Sequence, residues 1–341
     1  MAADVTSDTQ VLSLVSMPIA FTIAVGHVLV KPRRRGRTTG LATVLRVLLP
    51  KGIWLHPSTL LDVQYILIGS LAFSALFGYT LLNGYAVTMG VREVLEDVFG
   101  PRPVPVDTPL ALIGLAVVVQ YFAFEFTYWL YHLLSHKIPF LWEFHKVHHS
   151  ATVLTPFANW RVHPVDTILY VNALSLIVGT TAGGIYYLLG EDAWVAASVG
   201  SGILYALYLA VWGHLQHSQL WISFTGLAGR LVLSPAHHQI HHSDNPVHFD
   251  KNFGAGFAIW DWLFGTLHVP QRERERLHFG TKNDSHLKGL VPSLVYPFAH
   301  AAPLAVHVRR ATRCGPRAPL LRGGRRPTRG PRAGPRRGSR P

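Results

Sequence analysis

Residues 109–136, PLALIGLAVVVQYFAFEFTYWLYHLLSH, decide how the rest of the sequence is read. At about 1.5 Å per residue this apolar run is long enough to cross a bilayer as a helix, and it ends on two histidines, His132 and His136. Asp107 and Thr108 offer a cap for such a helix, and Pro109 suits its first turn. Imidazoles four residues apart on a helix share one face, with β-carbons about 5–6 Å apart. The stretch therefore predicts a spanning helix that delivers two nitrogen donors at its end.

Working outward, four further apolar stretches run over residues 11–30, 60–82, 167–189 and 193–213. With 49% hydrophobic and only 14% charged residues, the composition is that of a membrane protein. The first stretch follows Asp4 and Asp8 with no basic residue before it, which argues against a cleaved signal peptide. The basic run KPRRRGR at 31–37 should stay cytoplasmic. If all five stretches cross, the loop at 83–108 lies outside, and the chain returns to the cytoplasmic face near His132 and again near His214. Only Gly190, Glu191 and Asp192 separate the last two stretches, which predicts a tight helical hairpin.

The formal charge of +13 suggests a nucleic-acid partner until its position is considered. Residues 309–341 contain twelve arginines and no lysine, aspartate or glutamate, so the body of the chain is nearly neutral. This tail, rich in Arg, Pro and Gly, has too few apolar residues to offset the entropy of ordering, and we expect it to be disordered. It suits anionic lipid headgroups, and its composition alone is no case for nucleic acid. The single cysteine, Cys314, lies in the tail, which excludes an internal disulfide and a thiolate metal site.

The chain holds twenty histidines, and their spacing says more than their number. Four clusters stand out: His132 and His136; His145, His148 and His149 in WEFHKVHHS; His214 and His217 in VWGHLQHSQ; and His238, His241 and His242 in SPAHHQIHHSDN, with His237 adjoining. The ten histidines other than His237 fall at spacings that put two or three donors on one helical face. A first-row cation takes about six ligands, so ten imidazoles imply two metals with positions left open. Crowded imidazolium groups would repel and unpaired neutral ones resist burial, so metal is the economical explanation. His163 in NWRVHPVD follows the second cluster as an extra ligand or a supporting donor. His248 and His268 lack paired spacing and border the site, while His27 and His56 are isolated and read as structural.

HLLSH, HKVHH and SPAHHQIHHS, in this order, resemble the fatty acid hydroxylase and sterol desaturase superfamily of membrane enzymes. The stretch DKNFGAGFAIWDWLFGTLHVP is similar to the segment that follows the last histidine cluster in that family. The resemblance covers about residues 109–270 and implies an all-α polytopic transmembrane bundle with a cytosolic helical cap holding a dimetal site. It implies His132, His136, His145, His148, His149, His214, His217, His238, His241 and His242 as ligands of two irons, dioxygen as co-substrate and a lipid as substrate. No fused haem-binding module is recognisable, so electrons are expected from a small redox protein and its reductase.

The expected division is a membrane and loop region over 1–108, a catalytic region over 109–270, an extension over 271–308 and the tail. Imidazoles suit iron, zinc, copper and nickel alike, but cleaving an unactivated C–H bond needs a redox metal. Glu125, Glu143, Asp166, Asp244, Asp250 and Asp261 lie near the motifs and are available to offset the charge of two cations. Hydroxylation and desaturation share a first hydrogen abstraction, so the motifs do not separate them, nor do they select the lipid. A noncatalytic metal-binding or transport protein would place ionisable residues deep in several spans, whereas here histidines gather at helix ends. A haem protein would need isolated facing histidines, which adjacent His-His pairs fit poorly.

Overall fold

The computed structural model describes residues 4–30, 40–76, 82–103, 107–282 and 284–313. Among them the fold is all-α, and the only extended pairings are two isolated bridges, Val232 with Phe257 and Ser243 with Phe279. The N-terminal helices are α1 (Asp4–Val30), α2 (Leu41–Leu48), α3 (Lys51–Trp54), α4 (Pro57–Leu76) and α5 (Gly84–Phe99). The central ones are α6 (Leu110–Lys137), α7 (Pro139–His149), α8 (Pro164–Leu189) and α9 (Glu191–Tyr208). A π-helical turn, Leu209–Gly213, leads from α9 into the short α10 (His214–Gln216). Then come α11 (Gly226–Leu231), α12 (Pro235–His241), α13 (Ile259–Leu263) and α14 (Leu290–Arg313).

Among the described residues, three segments are long and apolar enough to cross a membrane: Leu110–Lys137, Pro164–Leu189 and Glu191–Gln216. Less than a third of each apolar window is buried, so these helices present apolar faces outward, as lipid requires. Leu115, Val118, Leu176, Val199, Ile203 and Leu207 all lie on that exposed surface. The helix expected after Asp107 and Thr108 begins at Leu110 with Pro109 as its cap residue, and the Thr108 hydroxyl instead donates to Leu189 O at 3.2 Å. The tight hairpin is present: Gly190 alone joins α8 to α9, at φ 88°, a left-handed conformation that favours glycine.

Small residues bring these helices close, as packing between helices in lipid requires. A β-carbon at Gly179 would stand 3.0 Å from Gly84 O, and one at Gly183 only 2.7 Å from Thr88 O, so α5 lies directly on α8. Ala116, Ile185 and Ala197 make the buried contact of α6, α8 and α9.

The second apolar stretch behaves differently. Along the first half of α4, Leu61 and Tyr65 pack with Val147 of α7 and Leu287, and Tyr65 Oη pairs with Ser293 Oγ of α14 at 2.8 Å. Its Asp62, fully buried, accepts from Arg161 Nε at 2.6 Å. A buried charge needs such a partner, and this one ties α4 to the histidine-bearing layer. The basic run at 31–37 and residues 314–341 of the Arg-rich tail lie outside the described residues, while Arg309–Arg313 continue α14.

Candidate metal centre

The histidines converge at one end of the long helices because each cluster sits at or beside a helix end. His132 and His136 close α6, and Pro139 restarts the chain at once as α7, whose last turns carry His145, His148 and His149. His217 is the C-terminal cap residue of α10, and α12 supplies His238 and His241 with His242 as its C-terminal cap residue.

Two groups result. Nitrogens of His132, His136, His145, His149 and His241 lie within 4.8 Å of one another, and so do those of His148, His217, His238 and His242. The groups adjoin, with the His149 and His242 rings 4.4 Å apart between centroids.

The nitrogen spacing tests whether a cation fits. His217 Nε2 lies 3.1 Å from His148 Nε2, 3.2 Å from His242 Nε2 and 3.0 Å from His238 Nε2. One proton satisfies a single such pair, not three. Nitrogens bound to one cation at about 2.1 Å and near right angles would stand about 3.0–3.2 Å apart. In the other group His136 and His241 place Nε2 atoms 3.1 and 3.2 Å from His149 Nε2. The Nε2 atoms of His132 and His145 are buried with no hydrogen-bond partner, an uncompensated cost that a metal would remove.

Four of the outer ring nitrogens are held as ligand imidazoles require, while Nδ1 of His217, His238 and His242 has no hydrogen-bond partner among the described residues. His132 Nδ1 donates to Phe253 O at 2.8 Å, His148 Nδ1 to Arg161 O at 3.2 Å and His241 Nδ1 to Lys251 O at 2.7 Å. A carbonyl can only accept, so in each ring Nε2 carries the inward lone pair. His145 Nδ1 donates to Asp166 Oδ2 at 2.9 Å. Burial above all, with the neighbouring imidazoles, holds His148, His149, His238 and His242 well below the usual histidine range and lowers His217 to about 3. The same desolvation takes His241 to about 3, so these rings are neutral donors at physiological pH.

Three histidines singled out in the sequence lie outside both groups. His214 Nε2 pairs with Ser16 Oγ of α1 at 2.8 Å and its ring stacks on Trp160. The reason is local: α10 is three residues long and the backbone leaves the helix at His217 (φ −95°, ψ 14°), so the shared face expected for the pair does not form. His163 caps α8, with Nδ1 accepting from Val165 N and Nε2 donating to Leu294 O at 3.1 Å, so neither nitrogen is left for a metal. His237 is likewise a capping residue: Nδ1 accepts from Ser234 N and Nε2 donates to Gly229 O.

The carboxylates divide by task. Asp166 contacts His145, and Asp250 lies 4.0 Å from His136 Nδ1 while pairing with Lys137. Glu125 accepts from the backbone N–H groups of Gly256 and Phe257, and Asp261 from those of Phe253 and Gly254. Together they hold the loop whose Phe253 carbonyl orients His132. Glu143 pairs with Lys146 at 2.7 Å and Asp244 with Lys282 at 3.6 Å. Sequence reasoning missed Arg161, whose guanidinium is buried by Asp62, Ser58 and Ser150 and whose carbonyl holds His148. The signal was there as a charge pair, one member of it inside an apolar stretch.

A cavity of about 240 Å³ runs from the centre between α6, α8 and α9. His132 and His145 of one group and His148 of the other form its polar end, and Phe124, Tyr128, Tyr170, Tyr205, Tyr208 and Leu209 continue it into the bundle. A larger one, about 520 Å³, lies between α1 and Val211–Leu215 and touches none of the nine grouped histidines.

An all-α bundle of apolar helices with a nine-histidine centre at one end defines the class. Residues 117–266 match the fatty acid hydroxylase family. The chain is 25% identical over 191 residues to alkylglycerol monooxygenase of Caenorhabditis elegans, covering 56% of this chain and 34% of that protein. It is 29% identical over 151 residues to a cholesterol 25-hydroxylase-like protein of Danio rerio (42% and 52%) and 32% identical over 169 residues to ornithine lipid hydroxylase OlsE of Rhizobium tropici (49% and 45%). These matches thus span about a third to a half of the curated relatives' length. No solved structure matches the chain.

Proposed function

We propose that this chain is a membrane-bound lipid monooxygenase whose nine grouped histidines hold two iron ions. The observation that carries the reading is the cavity, which touches both histidine groups at one end and enters the apolar bundle at the other. A lipid carbon in the cavity would lie beside both candidate metal positions, with the protein supplying position and exclusion of water. Iron, when bound, supplies the activation of dioxygen, and the net reaction is R–H + O2 + 2 e⁻ + 2 H⁺ → R–OH + H2O. A separate redox protein and its reductase would deliver the electrons.

His132, His136, His145, His149 and His241 would hold one iron, and His148, His217, His238 and His242 the other. Asp166 would fix the orientation of His145 and offset charge, because no carboxylate belongs to either group. The relatives are named as a monooxygenase, a hydroxylase-like protein and a hydroxylase, which supports hydroxylation over desaturation. Their names point to different lipids, and the cavity is smaller than the roughly 300–1,000 Å³ typical of a pocket enclosing a whole ligand. We therefore place a segment of a long-chain lipid in it, with the remainder among the helices. On the charge rule the centre would face the cytoplasm, with residues 117–266 as the catalytic unit.

Detergent-purified protein loaded with iron-57 tests this by metal content, Mössbauer spectra before and after reduction and oxygen, and lipid turnover under ¹⁸O2. Two irons per chain and one labelled oxygen in a lipid product are expected. Stoichiometric zinc under iron-replete expression, with no label incorporated, would overturn the proposal.

A further inference from the structure

We infer that His248, His268 and Glu275 form a separate site for one divalent first-row cation of the zinc class, which pins the segment from Asp244 to Glu275. One ring nitrogen of each histidine and one carboxylate oxygen of Glu275 lie within 4.8 Å of one another, and none of the three belongs to the nine-histidine centre. They come from a short turn, Pro246–His248, from the stretch after α13 and from the loop at 271–276.

The geometry is that of ligands more than of an ion pair. His248 Nε2 stands 3.7 Å from Glu275 Oε2, too far for a hydrogen bond. Two donors bound tetrahedrally to one cation at about 2.1 Å stand about 3.4 Å apart, so this pair closes by only about 0.3 Å on loading, while a pair near the 4.8 Å bound of the group closes by more than an ångström. The His248 and His268 rings meet edge to face at 5.2 Å. His248 is only 5% exposed, yet its Nδ1 has no hydrogen-bond partner among the described residues, and Nε2 has only the distant carboxylate. A buried ring nitrogen without a partner is costly, and an imidazole that makes no hydrogen bond has a lone pair free for a cation. Two imidazoles and a carboxylate, with positions left for water, form a recurrent donor set for zinc and also suit ferrous iron.

The backbone holds this donor set in place and links it to the centre. Asn252, at φ 59°, accepts from His268 N at 2.7 Å and donates to both His268 O and His237 O, which fixes His268 against α12. Between His248 and Asn252 lies Lys251, whose carbonyl orients His241. A cation on His248 and His268 would thus brace the loop that aims a ligand of the main centre.

The test counts metal on the full chain in detergent, stripped with chelator and reloaded with excess Zn²⁺, for wild type, Glu275→Gln and His268→Ala. Glu275 has a side chain 25% exposed and its Oε1 accepts from Gln271 N, a bond that glutamine retains, so the first variant does not threaten the fold. Each variant is expected to bind one Zn²⁺ per chain fewer than wild type, whatever the main centre holds, so failure here is distinguishable from failure of the iron proposal. Zinc should also slow hydrogen exchange over residues 244–276 more in wild type than in Glu275→Gln. Equal zinc content and equal protection in wild type and Glu275→Gln would show an ion pair only and overturn the inference.

Discussion

Asp166 Oδ2 lies 2.9 Å from His145 Nδ1, and the other oxygen of the same carboxylate accepts the Tyr131 hydroxyl. Asp166 stands in the first turn of α8, where the helix dipole favours a negative charge, so the anion is stabilised where His145 needs it. Replacing it as Asp166→Asn keeps the shape, removes the charge and leaves His145 a weaker acceptor. Loss of such a partner typically costs about 10–100-fold in metal affinity or activity. Competition with a chelator, read by metal retained per chain, should show that loss, with Tyr131→Phe falling between the variant and wild type. Unchanged affinity in Asp166→Asn would remove Asp166 from the centre.

The HLQH pair separates what spacing shows from what the structure shows. His217→Ala removes a nitrogen in contact with three others and is expected to lower metal content in its group and abolish turnover. His214→Ala should keep full metal content, because His214 lies with Ser16 and Trp160. It would still lower stability by roughly 0.5–1.5 kcal/mol through the lost hydrogen bond to Ser16. Metal analysis beside thermal unfolding decides between them: full loading of His217→Ala, or metal loss in His214→Ala at unchanged fold, contradicts the assignment.

The parts of this fold legible in the sequence are those written in side chains over several turns. The run from Leu110 to Leu130 has few ways to bury its surface except in lipid, so α6 and its terminal histidines follow from the sequence. The two His-x-x-His-His sets fall on single helical turns of α7 and α12 and keep their spacing in space. His214 could not be placed because its helix ends within one turn, and a π-helical turn just before it changes the phase. His163 and His237 hid in the same way, since a capping histidine and a ligand histidine look alike until the local N–H groups are positioned. The carbonyls of Arg161, Lys251 and Phe253, which orient three of the candidate ligands, left no mark at all, because every residue has a carbonyl.

Gly183 and Gly184 offer a matched test of the packing between α5 and α8. At Gly183 a methyl group would meet Thr88 O and Val91 Cβ at 2.7 Å, and much of that contact is backbone. At Gly184 nothing lies within 4 Å. Gly183→Ala must therefore move one helix off the other, at about 1–3 kcal/mol for overpacking. Gly184→Ala should be neutral or stabilising by up to about 1 kcal/mol, the helix preference of alanine over glycine. The thermal midpoint of Gly183→Ala in one detergent should fall below wild type while that of Gly184→Ala does not; equal midpoints would mean that α5 is not seated on α8 as described.

Glu125 is fully buried within α6, and its carboxylate serves as the anchor for the loop at 253–257. Its two oxygens accept from Gly256 N at 3.2 Å, Phe257 N at 3.1 Å and Tyr121 Oη at 3.0 Å, so every partner is a donor. Glu125→Gln keeps the size but turns one acceptor into an N–H2 group facing N–H groups. One buried donor is then left without an acceptor, at about 1–3 kcal/mol. Tyr121→Phe removes a single bond and should cost less, about 0.5–1.5 kcal/mol. Because Phe253 O in the same loop orients His132, the effect should reach the centre: Glu125→Gln is expected to lose metal from the His132 group before the His148 group. Chemical denaturation together with metal content measures both consequences. A glutamine variant as stable as wild type and equally loaded would mean that the loop is held by Asp261 alone.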